Sequence, residues 1–300
     1  MILIRSNIFL YNNFVMNTVL TAIFIIIRIF SVSLCNVFQK QLAKFGESPV
    51  KVNFVNYFLL TIFSLVLLIF IDKSEISRDF IFWSILGGIF GALGNYFMVE
   101  ALKFGELSVL APINSYKILI ALLFGFILLG EIPNFKGFIG IFLMIAGSYF
   151  IFNSFNLLEI FKRKEIQFRF LALIFTGIEA ILIKKVILIS SIELMFCANC
   201  ILGLLFSYLI FKLKNNSLNL KIQKEHARFY LLTSVSFGVM AFMTAIVFNR
   251  IQVSYALSLF QLSILVNLFF GRQIFQEKDI LRKLIGSIII ITGSVLILLG

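Results

Sequence analysis

The residue with the greatest potential for chemistry is Lys117, which lies at the centre of a long apolar segment beside Asn114 and Ser115. An ionised lysine in the middle of a membrane helix costs about 2.5–3.5 kcal/mol, so its side chain should face a hydrated cavity or an acidic partner. We therefore predict that Lys117, Asn114 and Ser115 bind the carboxylate or phosphate of a small-molecule solute. A structural ion pair between Lys117 and Glu100 or Glu179 is the alternative, and both interpretations can hold together.

Glu179 and Arg28 are two further ionisable residues near the middle of apolar segments. A carboxyl group in such a place can take up and release a proton, because burial and neighbouring charges act in opposite directions on its two forms. Glu179 is therefore a candidate for carrying a coupling proton. The alternative is an Arg28–Glu179 ion pair that only stabilises the fold, and we prefer that interpretation for Arg28.

Two other apolar segments carry polar side chains that are candidates for solute contact. They are Asn95 and Tyr96 in the third segment, and Ser258 and Gln261 in the ninth. Helix packing is the alternative in both segments, because uncharged amides and small residues also join membrane helices. The small residues in question are Gly87, Gly88, Gly91 and Gly94.

The elements that must position these residues are apolar helices. The chain of 300 residues is 61% hydrophobic and only 13% charged, with a mean hydropathy of +1.06, unlike a soluble domain. Its apolar segments are long enough to cross the bilayer as helices, which predicts an all-α integral membrane protein. The predicted spans are 17–38, 52–71, 80–101, 107–129, 136–152, 168–188, 192–212, 228–249, 253–275 and 282–299.

The net charge of +12 is distributed mainly over the short connections between these segments. Such a distribution is typical of contact with anionic lipid headgroups and of topology signals. We therefore expect the lipid bilayer, and no nucleic acid, as a partner. Residues 1–16 are too polar to span and lack a cleavage site for a signal peptide, and Met16 is an alternative start.

The chain contains an internal repeat with a constant spacing of 146 residues. The identical pairs include Ser108/Ser254, Glu131/Glu277, Gly140/Gly286 and Gly147/Gly293. Because each half has five predicted spans, an odd number, the halves should have inverted orientations, with a solute site where they meet. The predicted divisions are an N-terminal segment 1–16, a first five-helix repeat 17–152, a linker 153–167 and a second repeat 168–300.

Short motifs inside the repeat connect it to a known family. They are Ala101-Leu-Lys-Phe-Gly105, Ser108-Val-Leu-Ala-Pro112, Leu129-Gly-Glu131 and Gly140-x6-Gly147, with a second copy from Val253 to Ser287. The chain resembles EamA-type members of the drug/metabolite transporter superfamily. The resemblance implies ten helices around a central cavity and export or exchange of small metabolites or drugs by alternating access, as a multi-pass protein of the cell membrane, in bacteria the inner membrane.

The orientation of the termini is predicted in two opposite ways. The resemblance implies cytoplasmic termini, and we prefer that orientation. Most Lys and Arg residues, however, lie in the connections after the odd-numbered spans, which would place the termini outside.

One departure from the family pattern concerns the fourth helix of each repeat. Many members have a proline about thirteen residues before the closing glutamate, where this chain has Ile118 and Ile264. A proline there would remove a backbone donor and kink the helix. The hinge should therefore lie elsewhere, with Pro112 and the glycines of the third segment as candidates.

Several other features are predicted to be structural. Glu131 and Glu277 should cap the helix that follows or pair with Lys136 and Arg282. The repeated glycines, seven residues apart, should form packing seams, and these seams could also join a homodimer. Cys197 and Cys200 should be small packing residues, since the chain has too few further ligands for zinc, and we expect no metal and no cofactor.

Two other functional classes compete with transport. A polytopic enzyme acting on lipids would need a cluster of acids or nucleophiles at the membrane surface, and the sequence contains no such cluster. A membrane scaffold or sensor is the other alternative, but it would leave the midplane lysine and the duplication without a use. We therefore predict a transporter rather than an enzyme.

Overall fold

The computed structural model describes residues 2–72, 75–117, 135–152, 157–214 and 222–298, and every regular element in these ranges is a helix. The α-helices are α1 (Ile2–Lys44), α2 (Pro49–Leu67), α3 (Arg78–Phe104), α4 (Leu107–Ile113), α5 (Phe135–Phe152), α6 (Leu157–Lys162), α7 (Lys164–Ile189), α8 (Ile192–Lys214), α9 (Lys224–Arg250), α10 (Val253–Phe260), α11 (Ser263–Phe275) and α12 (Ile280–Leu298). A short 3₁₀ turn, Asn114–Tyr116, follows α4. The predicted all-α class is thus confirmed.

Eight helical segments of the described chain are long and apolar enough to cross a membrane. They are Asn17–Lys44, Pro49–Leu67, Arg78–Phe104, Phe135–Phe152, Ile192–Lys214, Lys224–Arg250, Tyr255–Phe275 and Ile280–Ile297. The predicted sixth span is helical, as α7, but it is not among the eight. The predicted fourth span continues past Lys117 into residues outside the described ranges.

Large apolar side chains project outward from these helices. Phe70 is 81% exposed, Phe142 70% and Leu188 69%. Outward exposure on this scale would be costly in water, whereas lipid tails solvate such side chains. These exposed side chains therefore form an outer surface suited to the bilayer.

The main helix contacts follow an approximate two-fold relation between the halves. In the second half, α7 is the equivalent of α1, and α9 is the equivalent of α3. Helix α3 packs against α7, and in the same way α9 packs against α1. Helix α2 packs against its own equivalent α8, and α5 against its own equivalent α12. Contacts that exchange partners in this way arise when two similar halves face each other across an axis.

The repeated glycines form the seam between α5 and α12. A methyl group on Gly140 would lie 2.5 Å from the carbonyl oxygen of Gly293, and one on Gly147 would lie 2.8 Å from that of Gly286. These close approaches confirm the predicted packing seams. All four glycines are buried inside one chain; a homodimer stays a prediction.

Both halves break their fourth helix at the same level. The first break is the 3₁₀ turn after α4. In the second half, Gln261 and Leu262 separate α10 from α11, and their N–H groups bond three residues back, to the carbonyls of Ser258 and Leu259. Neither break needs a proline at the family position. Discontinuous helices at the middle of a transporter free backbone groups close to the solute.

Candidate functional site

A cavity of about 160 Å³ lies between the two halves, at the level of the helix breaks. Its polar and charged lining residues are Arg28, Asn36, Gln39, Asn95, Asn114, Lys117, Arg169, Thr176, Glu179, Asn199, Thr244, Ser263 and Asn267. Apolar residues such as Met98, Phe248 and Phe260 complete the wall. The cavity therefore brings together Lys117, Asn114, Asn95, Glu179 and Arg28, five of the residues that the sequence singled out.

Lys117 follows the 3₁₀ turn and lies in the wall of the cavity. No described residue forms a hydrogen bond or an ion pair with its ammonium group. The charges that act on it most are Arg169 and Arg28, which repel it, and then Glu179, which attracts it. Among the described residues, two cations thus act on the Lys117 charge more strongly than the one carboxylate does.

Arg169 is the main cavity residue that sequence reasoning missed. The sixth predicted span, 168–188, places Arg169 next to its end, but α7 already begins at Lys164, and Arg169 is only 6% exposed. The missed signal is helical spacing, since Arg169, Thr176 and Glu179 fall on one side of α7. All three line the cavity.

The Arg169 guanidinium is held by three groups of the first half. It donates to the Leu110 carbonyl at 3.0 Å, to the Asn114 amide oxygen at 3.1 Å and to the Met98 sulfur at 3.0 Å. The Leu110 carbonyl is available because the Asn114 N–H turns to Ala111 and Pro112 at the end of α4. The helix break therefore frees a carbonyl oxygen, and Arg169 supplies its hydrogen-bond donor.

Arg28 lies on α1 and is held more loosely. Its Nε donates to the Thr244 hydroxyl at 3.4 Å, and its guanidinium carbon lies 3.9 Å from the centre of the Phe260 ring. The hydrogen bond is long, and a cation over an aromatic face adds only a modest attraction. Arg28 therefore keeps donors available to the cavity.

Glu179 lies where α7 packs most closely on α3. A methyl group on Gly91 would lie 2.5 Å from its Oε1 atom and 3.4 Å from the Asn199 oxygen. Only a glycine leaves room for this carboxylate beside Asn199. The same helix contact uses Gly88 against Leu202 and Gly94 against Thr176, which confirms that these glycines serve close packing.

The predicted structural ion pairs are absent from the described part of the chain. Neither Lys117 nor Arg28 lies within 4 Å of the Glu179 carboxylate. Glu100 instead accepts a hydrogen bond from Tyr96 at 2.8 Å, and neither of these two residues lines the cavity. Among the described residues, neither Lys117 nor Arg28 therefore forms the ion pair that was the alternative for it.

Carboxamides form two chains of hydrogen bonds along the cavity. Gln39 donates to Asn95 at 3.0 Å, and Asn95 donates to Asn53 at 2.7 Å. On the other side, Asn36 donates to Asn267 at 3.3 Å. Each amide is oriented by the next, so the wall is polar without being charged. Asn36 and Gln39 were not recognised in the sequence, although their spacing from Arg28, eight and eleven residues, places all three on one side of α1.

Ser115 and Gln261 bond to each other rather than facing the cavity. The serine hydroxyl donates to the glutamine oxygen at 3.0 Å, and the two positions are 146 residues apart. A bond between repeat-equivalent residues lies on the axis that relates the halves. Both residues are fully buried, and Ser258 likewise is not in the cavity wall. A role for these three in solute binding stays a prediction.

One end of the bundle carries a second cluster of charges, which we call the end network: Lys40, Glu106, Ser108, Glu277 and Lys283. The Glu277 carboxylate accepts from the backbone N–H groups of Leu107 and Ser108, each at 2.8 Å, and from Lys40 at 2.6 Å. Lys283 pairs with Glu106 and donates to the Ser108 hydroxyl at 2.9 Å.

Glu277 therefore caps α4, a helix of the other half, rather than the helix that follows it. Its predicted partner Arg282 instead contacts Asp279 at 3.7 Å. The cap is needed because Glu106, at the start of α4, makes no side-chain cap of its own. The matching interpretation of Glu131 and Lys136 cannot be compared, since Glu131 lies outside the described residues.

A third buried cluster joins the connection after α1 to the start of α9. Glu47 accepts from Lys51 at 2.8 Å and lies 2.7 Å from the His226 ring nitrogen. The ring of Phe45 stacks on His226 at 4.7 Å. His226 is thus a buried residue in the first turn of α9.

Comparison with solved structures and known families completes the description. Twenty-one chains of solved structures match; one, described only as a crystal structure of a protein, has a TM-score of 0.64 at 12% identity over 92% of this chain and 95% of its own. At that identity the likeness shows the fold alone. No curated protein matches. The profile of the EamA-like transporter family matches residues 19–153 and 163–299, so this multi-pass membrane protein belongs to the EamA-like transporter family.

Proposed function

We propose that the protein is a secondary transporter that binds a small, acidic, polar solute in the central cavity and moves it by alternating access. The proposal includes a ten-helix arrangement of two inverted halves in the cell membrane. It is supported by the family match to both halves, by the two-fold contact pattern and by the cavity at the helix breaks.

The observation that carries the proposal is the environment of Lys117. Its ammonium group lines a cavity and has no acidic or hydrogen-bonding partner among the described residues. A lysine at that depth without a partner is costly, and binding an acidic solute would remove the cost. The cavity of about 160 Å³ is smaller than the roughly 300–1,000 Å³ of sites for drug-sized ligands, which favours a small metabolite.

Exchange or export coupled to protons is a finer part of the proposal. Glu179 is the only carboxylate among the described cavity residues, and its place between α3 and α7 couples it to a principal contact between the halves. Protonation there would change the charge at a contact that must rearrange during transport. Glu179→Gln should therefore abolish any dependence of uptake on a pH gradient.

Uptake into proteoliposomes tests the proposed function. The purified chain is reconstituted and tested with labelled amino acids, organic acids and drugs, with and without a pH gradient. Lys117→Gln should lower uptake of the accepted solute at least about tenfold, equivalent to ~1.4 kcal/mol. Lys103→Gln, which alters an exposed lysine at the end of α3, is the matched control. Equal uptake by both variants would contradict the proposal.

A further inference from the structure

The charge balance of the cavity identifies the class of solute more closely. Three cationic side chains, Arg28, Lys117 and Arg169, line the described wall, against the single carboxylate of Glu179. Two positive charges are therefore in excess. This balance is that of the described residues, and Glu131 is the one acidic residue that lies outside them.

This excess is unusual within the molecule itself. Elsewhere the buried cations are matched: Lys40 pairs with Glu277, Lys51 with Glu47 and Lys283 with Glu106. An unpaired charge in a low-dielectric interior costs several kcal/mol. The cations of the cavity, unlike the other buried cations, therefore lack paired carboxylates among the described residues. A bound ligand would supply the missing negative charges.

The cations are also held at separate places by different helices. Arg169 is fixed against α3 and α4 by its three hydrogen bonds, and Lys117 follows α4 closely. Arg28 is held on the other side by Thr244 of α9 and Phe260 of α10. One acidic group near Arg169 and Lys117 and a second near Arg28 would engage both places at once.

We propose that the solute is a small dianion, either a dicarboxylate or a phosphate monoester, and that transport is an exchange of such dianions. The inference rests on the proposed transport function. A dianion balances the excess charge, whereas a monoanion leaves one positive charge and a zwitterion leaves two. Alternating access passes through a closed state in which the uncompensated charges of the empty cavity would lose contact with bulk water, and this loss is costly. Net movement of the empty carrier should therefore be slow.

Exchange between proteoliposomes and medium tests this directly. The full-length protein is reconstituted in liposomes loaded with unlabelled succinate or glycerol 3-phosphate, and entry of the same labelled compound is measured. Labelled butyrate and alanine serve as the monoanion and the zwitterion. We expect one or both dianions to enter at least about tenfold faster than butyrate, equivalent to ~1.4 kcal/mol, and to enter empty liposomes far more slowly. Which of the two is faster distinguishes the dicarboxylate from the phosphate monoester.

Charge-changing variants provide the second readout, measured as protection from thermal unfolding in detergent. Succinate and glycerol 3-phosphate should protect Lys117→Gln and Arg28→Gln less than the parent, and Lys117→Arg about as much. Glu179→Gln should be protected more, since it adds to the excess charge. Binding is measured here because a proton-coupling role of Glu179 would impair transport without impairing binding.

The outcomes separate the two proposals. If butyrate or alanine enters as fast as the dianions, the protein is a transporter but the dianion inference is wrong. If succinate enters empty liposomes as fast as loaded ones, the exchange is wrong. If none of the solutes enters while the protein remains folded and no member of the wider solute panel does so either, the proposed function fails as well.

Discussion

The end network and the central cavity contain similar numbers of charged side chains, but among the described residues these are paired in the end network and unpaired in the cavity. In the end network Glu277 is satisfied by a lysine and by two backbone N–H groups at the start of α4. In the cavity, no two charged side chains of the described chain form an ion pair. Burial is costly for both groups of charges. The end network offsets this cost with ion pairs inside the fold, and we propose that the cavity offsets it with a bound solute.

The largest effect is expected from removing the carboxylate of the end network. Glu277→Gln leaves Lys40 buried and without its counter-charge and weakens the cap of α4, which should lower the free energy of unfolding by about 3–5 kcal/mol. Thermal unfolding in detergent measures the effect. Glu75→Gln, at an exposed position in a connection, is the control. If the two variants were equally stable, the end network would not stabilise the fold, and it would not differ from the cavity in this respect.

Removing a charge from the cavity should change the free energy of unfolding in the opposite direction. Lys117→Gln removes a charge that has no described partner, so the ligand-free protein should become more stable, by about 1 kcal/mol, while solute uptake falls. The pair of thermal unfolding and uptake measurements checks both parts. A destabilised Lys117→Gln would mean that this lysine supports the fold, as the end network does.

The Ser115–Gln261 bond on the two-fold axis offers an intermediate case. Ser115→Ala deletes the hydroxyl that donates to Gln261 and should cost about 1 kcal/mol of stability. Because neither side chain lines the cavity, we expect uptake by the folded protein to change little. A large loss of uptake at unchanged stability would instead support the solute-binding role predicted for both residues.

The smallest effect concerns pH. Burial alone would raise the pKa of Glu277, but the hydrogen bonds from Lys40 and Ser108 outweigh it, and the pKa lies below its usual value of 4.5. Burial alone would also raise the pKa of Glu47, but the hydrogen bonds from Lys51 and His226 outweigh it, and this pKa is lowered from 4.5 as well. Groups with a lowered pKa stabilise the fold above their ordinary pKa, and this contribution is lost as the pH falls through the folded value.

The protein should therefore lose stability as the pH falls below about 4.5, the ordinary value for these carboxyls. Unfolding temperatures between pH 7 and pH 3 would show the loss. In Glu47→Gln and Glu277→Gln the unfolding temperature should fall less between pH 7 and pH 3 than in the parent. An equally large fall in both variants would show that other groups are responsible.

Cavity residues in the middle of an apolar segment can be recognised from the sequence, whereas residues that depend on contacts between distant helices cannot. Lys117, Asn114 and Glu179 could be placed at one cavity because each is a polar residue in the middle of an apolar segment. Arg28 was expected to stabilise the fold only, and it also lines the cavity. Arg169 could not, since its environment depends on where α7 starts and on a carbonyl that a break in α4 frees. Ser115 and Gln261 were expected to contact solute, but no local pattern could show that they meet each other.

The sequence by itself determined the helical membrane class, the duplication and the family, because apolar segment length, repeat spacing and motifs are properties of the chain taken in order. It also determined that charges would lie inside the bundle. Only the tertiary structure decided which charges are paired. Glu277 caps a helix 169 and 170 residues away in the chain, whereas Lys117 finds no acidic partner among the described residues. Pairing depends on distances of a few ångströms across helix contacts, which spacing along the sequence does not specify.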